Sequence, residues 1–323
     1  MPRAAAGAHP NIAFIKYWGN RDEKLRLPVN PSLSMNLAGL QTITTVEFAE
    51  RLTDDEVVIG GEKRDGAQKD RVSAHLDLIR ARAGLRLKAR VESRNNFPDG
   101  AGLASSASAF AALSLAGTLA AGLNLNESEL SALARLGSGS AARSVPEGFV
   151  EWQMGAAPAD SFAFSIAPPG HWALADVIAV VSQKHKSIGS TGGHALAGTS
   201  PLQAARVAGA ADRLQTCRDA LLTRNFAALA EVVEADSNLM HSVMMTSTPP
   251  LFYWEPITLA IMRAVRQWRE EGLPVCFTVD AGPNVHCLCE TAAAPEVERR
   301  LRDNLDVKDV LVAKPGGPAW EVK

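Results

Sequence analysis

The run "NNFPDGAGLASSAS", Asn95 to Ser108, packs glycines, alanines and serines ahead of a helix-like stretch. Gly100, Gly102 and the small residues Ala101, Ala104, Ser105 and Ser106 let backbone N–H groups converge without Cβ obstruction. A helix beginning near Ser105 would aim its first unpaired amides at the same point, and the serine hydroxyls could ligate Mg2+. The run is neither a Walker A loop nor a GxGxxG fingerprint. On residues alone, a phosphate cradle and a tight Gly-rich turn stay open as alternatives. A second small-residue turn, "GSGSAAR", offers the hydroxyls of Ser138 and Ser140 and the cation of Arg143. An arginine fork suits a carboxylate or phosphate, because it donates two parallel hydrogen bonds. Two such turns suggest two anionic ligands, such as a nucleotide and an acidic substrate.

Two further side chains are candidates. Lys16 lies in "NIAFIKYWGNRD", a run that reads as buried on both faces, where an unpaired ammonium is costly. It either snorkels to water or faces a site with a negative partner. Asp280 in "DAGPN" follows a buried strand, where it either forms an Asx-turn or serves as a catalytic carboxylate. Nothing in the sequence shows whether Lys16 and Asp280 meet.

The positioning elements follow from periodicity. "TITTVEFAE" and "RLKARVES" alternate as strands, and "EVVIGGEKR" reads as a strand entering a Gly-Gly turn. "VSAHLDLIRARAGL" has helical spacing and a glycine stop. From Ser106 to about Gly122 the chain is small and apolar nearly all round, the mark of an enclosed helix. "NESELSALARL" opens with a capping pattern, Asn126 and Glu129. In the second half, "LADVIAVVS" reads as a buried strand. Helices follow in "SPLQAARVAGAADRLQTCRDALLTRN", "FAALAEVVEADSNLMHSVMM" and "PITLAIMRAVRQWREEG", and then "PVCFTVDAGPNVHCLCE" gives strand, turn and strand. The Pro-rich "SIAPPGHW" marks the crossing between two α+β domains, 1–174 and 175–323, with a cleft between them.

Composition narrows the function classes. The 323 residues are 46% hydrophobic and 21% charged with a net charge of −2, so there is no global basic field for nucleic acid or acidic membrane. Residues 100–125 carry no charge, yet four serines, four glycines and many alanines make a buried helix the better account than a membrane span. The N-terminus lacks the apolar stretch of a signal peptide. The four cysteines show no disulfide or zinc spacing, and Cys287 and Cys289 would share one face of a strand. A cytoplasmic protein is the expectation.

Taken together, "NIAFIKYWGNRD…LPVNPSLSMNL", "NNFPDGAGLASSASAFAAL", "GSGSAARSVPEGFVEW", "ADSNLMHS…STPPLFYW" and "DAGPNV" resemble the mevalonate diphosphate decarboxylases, in order and with similar spacing from about residue 11 to residue 290. That family belongs to the galactokinase, homoserine, mevalonate and phosphomevalonate kinase (GHMP) group. The resemblance implies an α+β fold, with an N-terminal domain like ribosomal protein S5 domain 2 and a ferredoxin-like C-terminal domain. It implies ATP and Mg2+, a phosphorylated mevalonate as substrate, and a homodimer. Asp280 and Lys16 match catalytic positions. Asn11, Tyr17, Asn20, Ser138, Ser140 and Arg143 match substrate-binding ones. Ser93, Asn95, Gly100, Gly102, Leu103, Ala104, Ser105, Ser106 and Lys186 match the nucleotide site, with Ser105 or Ser106 on the metal.

Two departures bear on the substrate. The family usually reads "KYWGKRD", and here its second lysine, which reaches the diphosphate, is Asn20. The usual Gly-Gly after the arginine-serine motif is Pro146-Glu147, expected to place an anion near the terminal phosphate. Both favour mevalonate 5-phosphate over the 5-diphosphate, unless Arg21, Lys24 or Arg26 supplies the missing charge. The alternatives are the diphosphate decarboxylase and a 3-kinase that stops before CO2 is lost. A non-catalytic sensor would predict broken motifs, whereas all of them are present.

Overall fold

A computed structural model describes residues 3–98, 104–182 and 188–323. The chain begins with β1 (Arg3–Ala8), β2 (Asn11–Ile15), a short ribbon of β3 (Asn20–Asp22) and β4 (Leu27–Pro28), and then β5 (Ser32–Ala38) and β6 (Thr42–Ala49). The alternating sequence of β6 produces alternating burial, while β2 is buried on both faces, as its continuous apolar run demands. The hairpin β7 (Glu56–Ile59) and β8 (Glu62–Arg64) turns at Gly60-Gly61. Helix α1 (Ala67–Ala83) ends where Gly84 adopts φ 64° and returns its N–H to the Arg80 carbonyl. After β9 (Lys88–Asn95) come α2 (Ser105–Ala120) and α3 (Glu127–Gly137), the latter opened by the Asn126–Glu129 capping box.

Antiparallel β1, β6 and β9, with β7 parallel to β9, form a sheet whose inner face α2 covers. Alanines on α2 allow its backbone close to that sheet, and Phe48, Val91, Phe110 and Leu133 fill the core around it. A 3-10 turn, Gly139–Ser144, then leads to β10 (Phe149–Trp152) and β11 (Ala163–Ala167). The Pro168-Pro169-Gly170 segment enters β12 (Leu174–Val180).

The second half carries α4 (Ser190–Leu196), α5 (Gln203–Ala208), α6 (Ala210–Leu222), α7 (Phe226–Met245) and α8 (Pro256–Glu270). β13 (Val275–Val279), β14 (Val285–Glu290), α9 (Ala294–Asn304), β15 (Asp309–Pro315) and β16 (Trp320–Val322) follow. Strands β13, β14, β12 and β15 pair antiparallel in that order. Two features join the halves. β15 continues onto β5 through Lys314–Ala38 and Pro315–Leu37, and β16 returns to pair with β1. The sequence reading finds neither β5 nor the two last strands. Among the described residues no helix is long and apolar enough to cross a membrane. All four cysteines are buried and free, and Cys287 and Cys289 share the core face of β14.

Candidate active site

Lys16 follows directly on β2, and its backbone is held from three sides. Its N–H donates to Asp236 Oδ2 on α7 at 2.6 Å, and its carbonyl accepts from Asn30 Nδ2 at 2.9 Å and from Arg206 on α5 at 2.7 Å. Arg213 in turn pairs with Asp236 at 2.7 Å. With its main chain fixed, the 1% exposed lysine side chain reaches Asp280, Nζ to Oδ1 2.6 Å. The ammonium does not snorkel. It has the negative partner that burial requires.

Asp280 sits past the end of β13, which α7 grips: Ser237 Oγ accepts the Val279 N–H at 3.0 Å, and His241 Nε2 lies 3.2 Å from the Val279 carbonyl. Beyond it, Thr258 donates to the Pro283 carbonyl, and Asn284 Oδ1 accepts the N–H groups of Val181 and Ser182. Burial would raise the Asp280 carboxyl. The Lys16 ammonium, with His286 and Arg143 adding to it, outweighs that and holds the group below its usual value. It is a carboxylate at neutral pH, and its side chain is 27% exposed toward a cavity of about 270 Å3.

Arg143 enters this cavity from the 3-10 turn. NH1 donates to Ser32 Oγ at 2.7 Å and Nε to Asn11 Oδ1 at 3.3 Å, while Asn11 Nδ2 donates to the Ser140 carbonyl and to Ser144 Oγ. Burial lowers the guanidinium to about 10, with Asp280 and Tyr17 opposing, so it stays cationic at neutral pH. Tyr17, Ser138 and Ser140 line the same cavity. Gly139 is required there, because a Cβ would stand 2.5 Å from the Tyr17 ring.

A second cavity of about 340 Å3 opens on the other side of α2, lined by Ser93, Asn95, Arg64 and Arg71. Ser93 Oγ lies 2.9 Å from Thr44 Oγ1, and Asn95 Oδ1 accepts from Thr42 at 2.6 Å. Ser105 and Ser106, at the first turn of α2, line both cavities, and Ser106 Oγ lies 3.1 Å from Ser138 Oγ. The N-terminus of α2 therefore borders both cavities. Ala104, with φ 51°, lines the first cavity, while Gly100, Gly102, Leu103 and Lys186 lie outside the described residues. Mg2+ usually keeps several waters and binds one or two protein oxygens together with phosphates. The two serine hydroxyls fit that demand, and among the described residues no cluster of three His, Cys, Asp or Glu could hold a metal alone.

Two sequence expectations change. Glu147 does not line the cavity. It sits between Pro146, whose carbonyl Asn36 binds, and Gly148, whose N–H donates to Gly316, and its charge acts on Glu127 at the start of α3. The anion expected beside the terminal phosphate is therefore elsewhere. Asn20 is also not among the lining side chains; its Oδ1 accepts from the Tyr17 hydroxyl and its Nδ2 donates to Glu23 at 2.9 Å. Sequence reasoning missed Asp236, whose only local sign is an acid between Val233 and Met240 on an apolar helix face. It missed His194 as well. That ring packs 4.1 Å from Tyr17 and 4.6 Å from Trp18, accepts the Gly19 N–H on Nδ1, and is lowered to about 3 by burial and then by Arg26.

Comparisons with known proteins place this geometry. A diphosphomevalonate decarboxylase-like N-terminal domain matches residues 8–163, and a mevalonate 5-diphosphate decarboxylase C-terminal domain matches residues 176–314. The diphosphomevalonate decarboxylase of Candida albicans is 40% identical over 88% of this chain and 83% of its own. The phosphomevalonate decarboxylase of Haloferax volcanii is 36% identical over 98% of this chain and 97% of its own. A solved structure of MDDEF in complex with MVAPP, AMPPCP and magnesium superposes with a TM-score of 0.94 at 37% identity, covering 99% of both chains. The chain belongs to the diphosphomevalonate and phosphomevalonate decarboxylase family, ATP-dependent carboxy-lyases of the mevalonate pathway with the two-domain GHMP-kinase fold.

Proposed function

We propose that this chain uses Mg·ATP to decarboxylate (R)-mevalonate 5-phosphate to isopentenyl phosphate, with release of ADP, inorganic phosphate and CO2. The observation that carries the choice of the monophosphate is position 20. An asparagine stands where a lysine would meet a second phosphate, and its amide is spent on Tyr17 and on the carboxylate of Glu23. Losing one charge-assisted contact in a partly solvated pocket costs about 1–3 kcal/mol, roughly tenfold to a hundredfold in affinity. Removing one phosphate from the substrate removes the demand for that contact. The full-length relative named phosphomevalonate decarboxylase supports the same reading.

The residues then divide the work. Arg143 and the serines of the 3-10 turn hold the substrate's anionic groups in the first cavity, and Ser93 and Asn95 hold the nucleotide in the second. Ser105 or Ser106 would hold Mg2+ together with the nucleotide, and the ion would supply neutralisation of phosphate charge there. Asp280 accepts or orients the proton of the tertiary 3-hydroxyl, which is a poor nucleophile without it. The O3–P bond forms as the bond from the γ-phosphorus to ADP breaks, and Lys16 offsets charge at that phosphoryl group. The C3–O3 bond then breaks with its electron pair on phosphate. The C1–C2 pair becomes the C2=C3 double bond, and CO2 leaves. Once the hydroxyl proton has passed on to the phosphate or to water, Asp280 is again a carboxylate and stabilises the positive character at C3.

The test counts ADP and CO2 in parallel with Mg·ATP and either mevalonate 5-phosphate or its 5-diphosphate. Equal release, at least tenfold faster at low substrate with the monophosphate, is expected. Release on the diphosphate alone reverses the choice of substrate, and ADP without CO2 makes the protein a 3-kinase. The homodimer implied by the resemblance and the cytoplasmic location expected from the cysteines belong to the same proposal, and sedimentation equilibrium tests the first.

A further inference from the structure

We propose that Arg26 is the side chain that receives the substrate's single 5-phosphate, and not a substitute for the lysine that would reach a second one. This rests on the substrate class proposed above and names the cation for it. Three cations line the first cavity among the described residues. Lys16 is paired with Asp280, and Arg143 gives Nη1 to Ser32 and Nε to Asn11, which leaves it one terminal nitrogen for the substrate. Arg26 donates only its Nε, to the Leu136 carbonyl at 3.1 Å, and among the described residues its two terminal nitrogens have no hydrogen-bonding or ionic partner. A guanidinium anchored at Nε with its fork left open is preset for an oxyanion.

The backbone gives a second, independent sign. Arg26 closes the turn between β3 and β4 at φ 47°, the left-handed region that suits glycine and burdens a side chain with a Cβ. Asp22 fixes that turn by accepting the Leu25 N–H at 2.8 Å. Only three non-glycine residues among those described have positive φ, and two of them, Arg26 and Ala104, line this one cavity. Unfavourable backbone geometry gathered around a single site is a mark of function. An arginine held where glycine would be easier is there for its side chain. One uncommitted fork also matches one phosphate group, and its position in the β3–β4 turn places it on the same short ribbon as Asn20.

The experiment compares wild type with Arg26→Gln, Arg26→Gly and the double variant Asn20→Lys/Arg26→Gln. KM for mevalonate 5-phosphate should rise at least tenfold in both single variants, with KM for ATP and kcat within about threefold. Arg26→Gly relieves the turn, so its melting temperature should equal or exceed that of wild type while binding is lost, which separates phosphate recognition from folding. The double variant should recover much of the lost affinity. A KM within twofold of wild type in Arg26→Gln and Arg26→Gly overturns the assignment. So does an equal rise in both KM values, which marks a general disturbance. If wild type acts on the diphosphate alone, the substrate reading fails. The same comparison made with the diphosphate then judges Arg26 by the same thresholds.

Discussion

A carboxylate lodged beside a cavity wall tends to take up a proton, and at Asp280 the Lys16 ammonium 2.6 Å away works against that tendency. The sign fixes the pH behaviour. A carboxyl held below its usual value stays ionised at lower pH, so the acid limb of kcat/KM should lie below the ordinary aspartate range of about 3.9. Lys16→Met removes the largest opposing charge and leaves burial countered only by His286 and Arg143. Its residual activity should fall off at a higher pH than that of wild type in the pH profile of kcat/KM. An unmoved limb would separate the lysine from the ionisation of Asp280. Asp280→Asn keeps the shape and loses the base. ADP and CO2 should both fall by about a thousandfold or more, while binding of Mg·ATP by calorimetry stays within threefold. Lys16 and Asp280 were visible as candidates in the sequence, but their meeting was not. They are 264 positions apart, and the contact depends on Asp236, Asn30 and Arg206 holding the lysine's main chain.

The elements around the site leave little slack, and glycines mark where. A Cβ on Gly137 would stand 2.0 Å from the Phe110 ring, and one on Gly139 would press on Tyr17. Gly139→Ala should therefore displace Tyr17 and raise the substrate KM several-fold while KM for ATP holds. Overpacking should also cost about 1–3 kcal/mol in urea unfolding. Unchanged KM and stability would mean that the ring yields freely. Local patterning revealed α2, α3 with its cap, the β7–β8 hairpin and the strands on either side of Asp280, because periodicity and turn residues act within a dozen positions. β5 escaped it. Ser32-Leu33-Ser34-Met35-Asn36-Leu37 alternates as a strand, a signal the reading passed over, and its three polar residues are all buried. Asn36 binds the carbonyls of Pro146 and Gly317, and Ser32 accepts from Arg143. Polar residues spent on distant partners carry no local signature. The two small-residue turns were legible as types of loop, whereas the sharing of Ser105 and Ser106 between two cavities follows only from the packing of α2.

Across the whole molecule, the halves are joined by sheet as well as by the crossing chain. β15 extends the second-half sheet onto β5, and β16 lies along β1, where Trp320 covers Gly7 so closely that a Cβ there would stand 2.3 Å from the indole. Trp320 also packs 4.8 Å from His9. Trp320→Ala should lower unfolding free energy by about 1–3 kcal/mol in urea, less than for a fully buried tryptophan because the ring is only partly buried. Turnover per folded molecule should stay within twofold, since the indole lies outside both cavities. Loss of turnover at unchanged stability would tie that edge to catalysis instead. The same pairing sets an order for synthesis. Ala5 leaves the ribosome early, but its partner Val322 is made only 317 residues later (322 − 5). Until then one edge of the first sheet has open backbone groups, a template for pairing with a neighbouring chain on the same message. Nascent chains arrested before Trp320 should therefore be held by chaperones that release the finished protein.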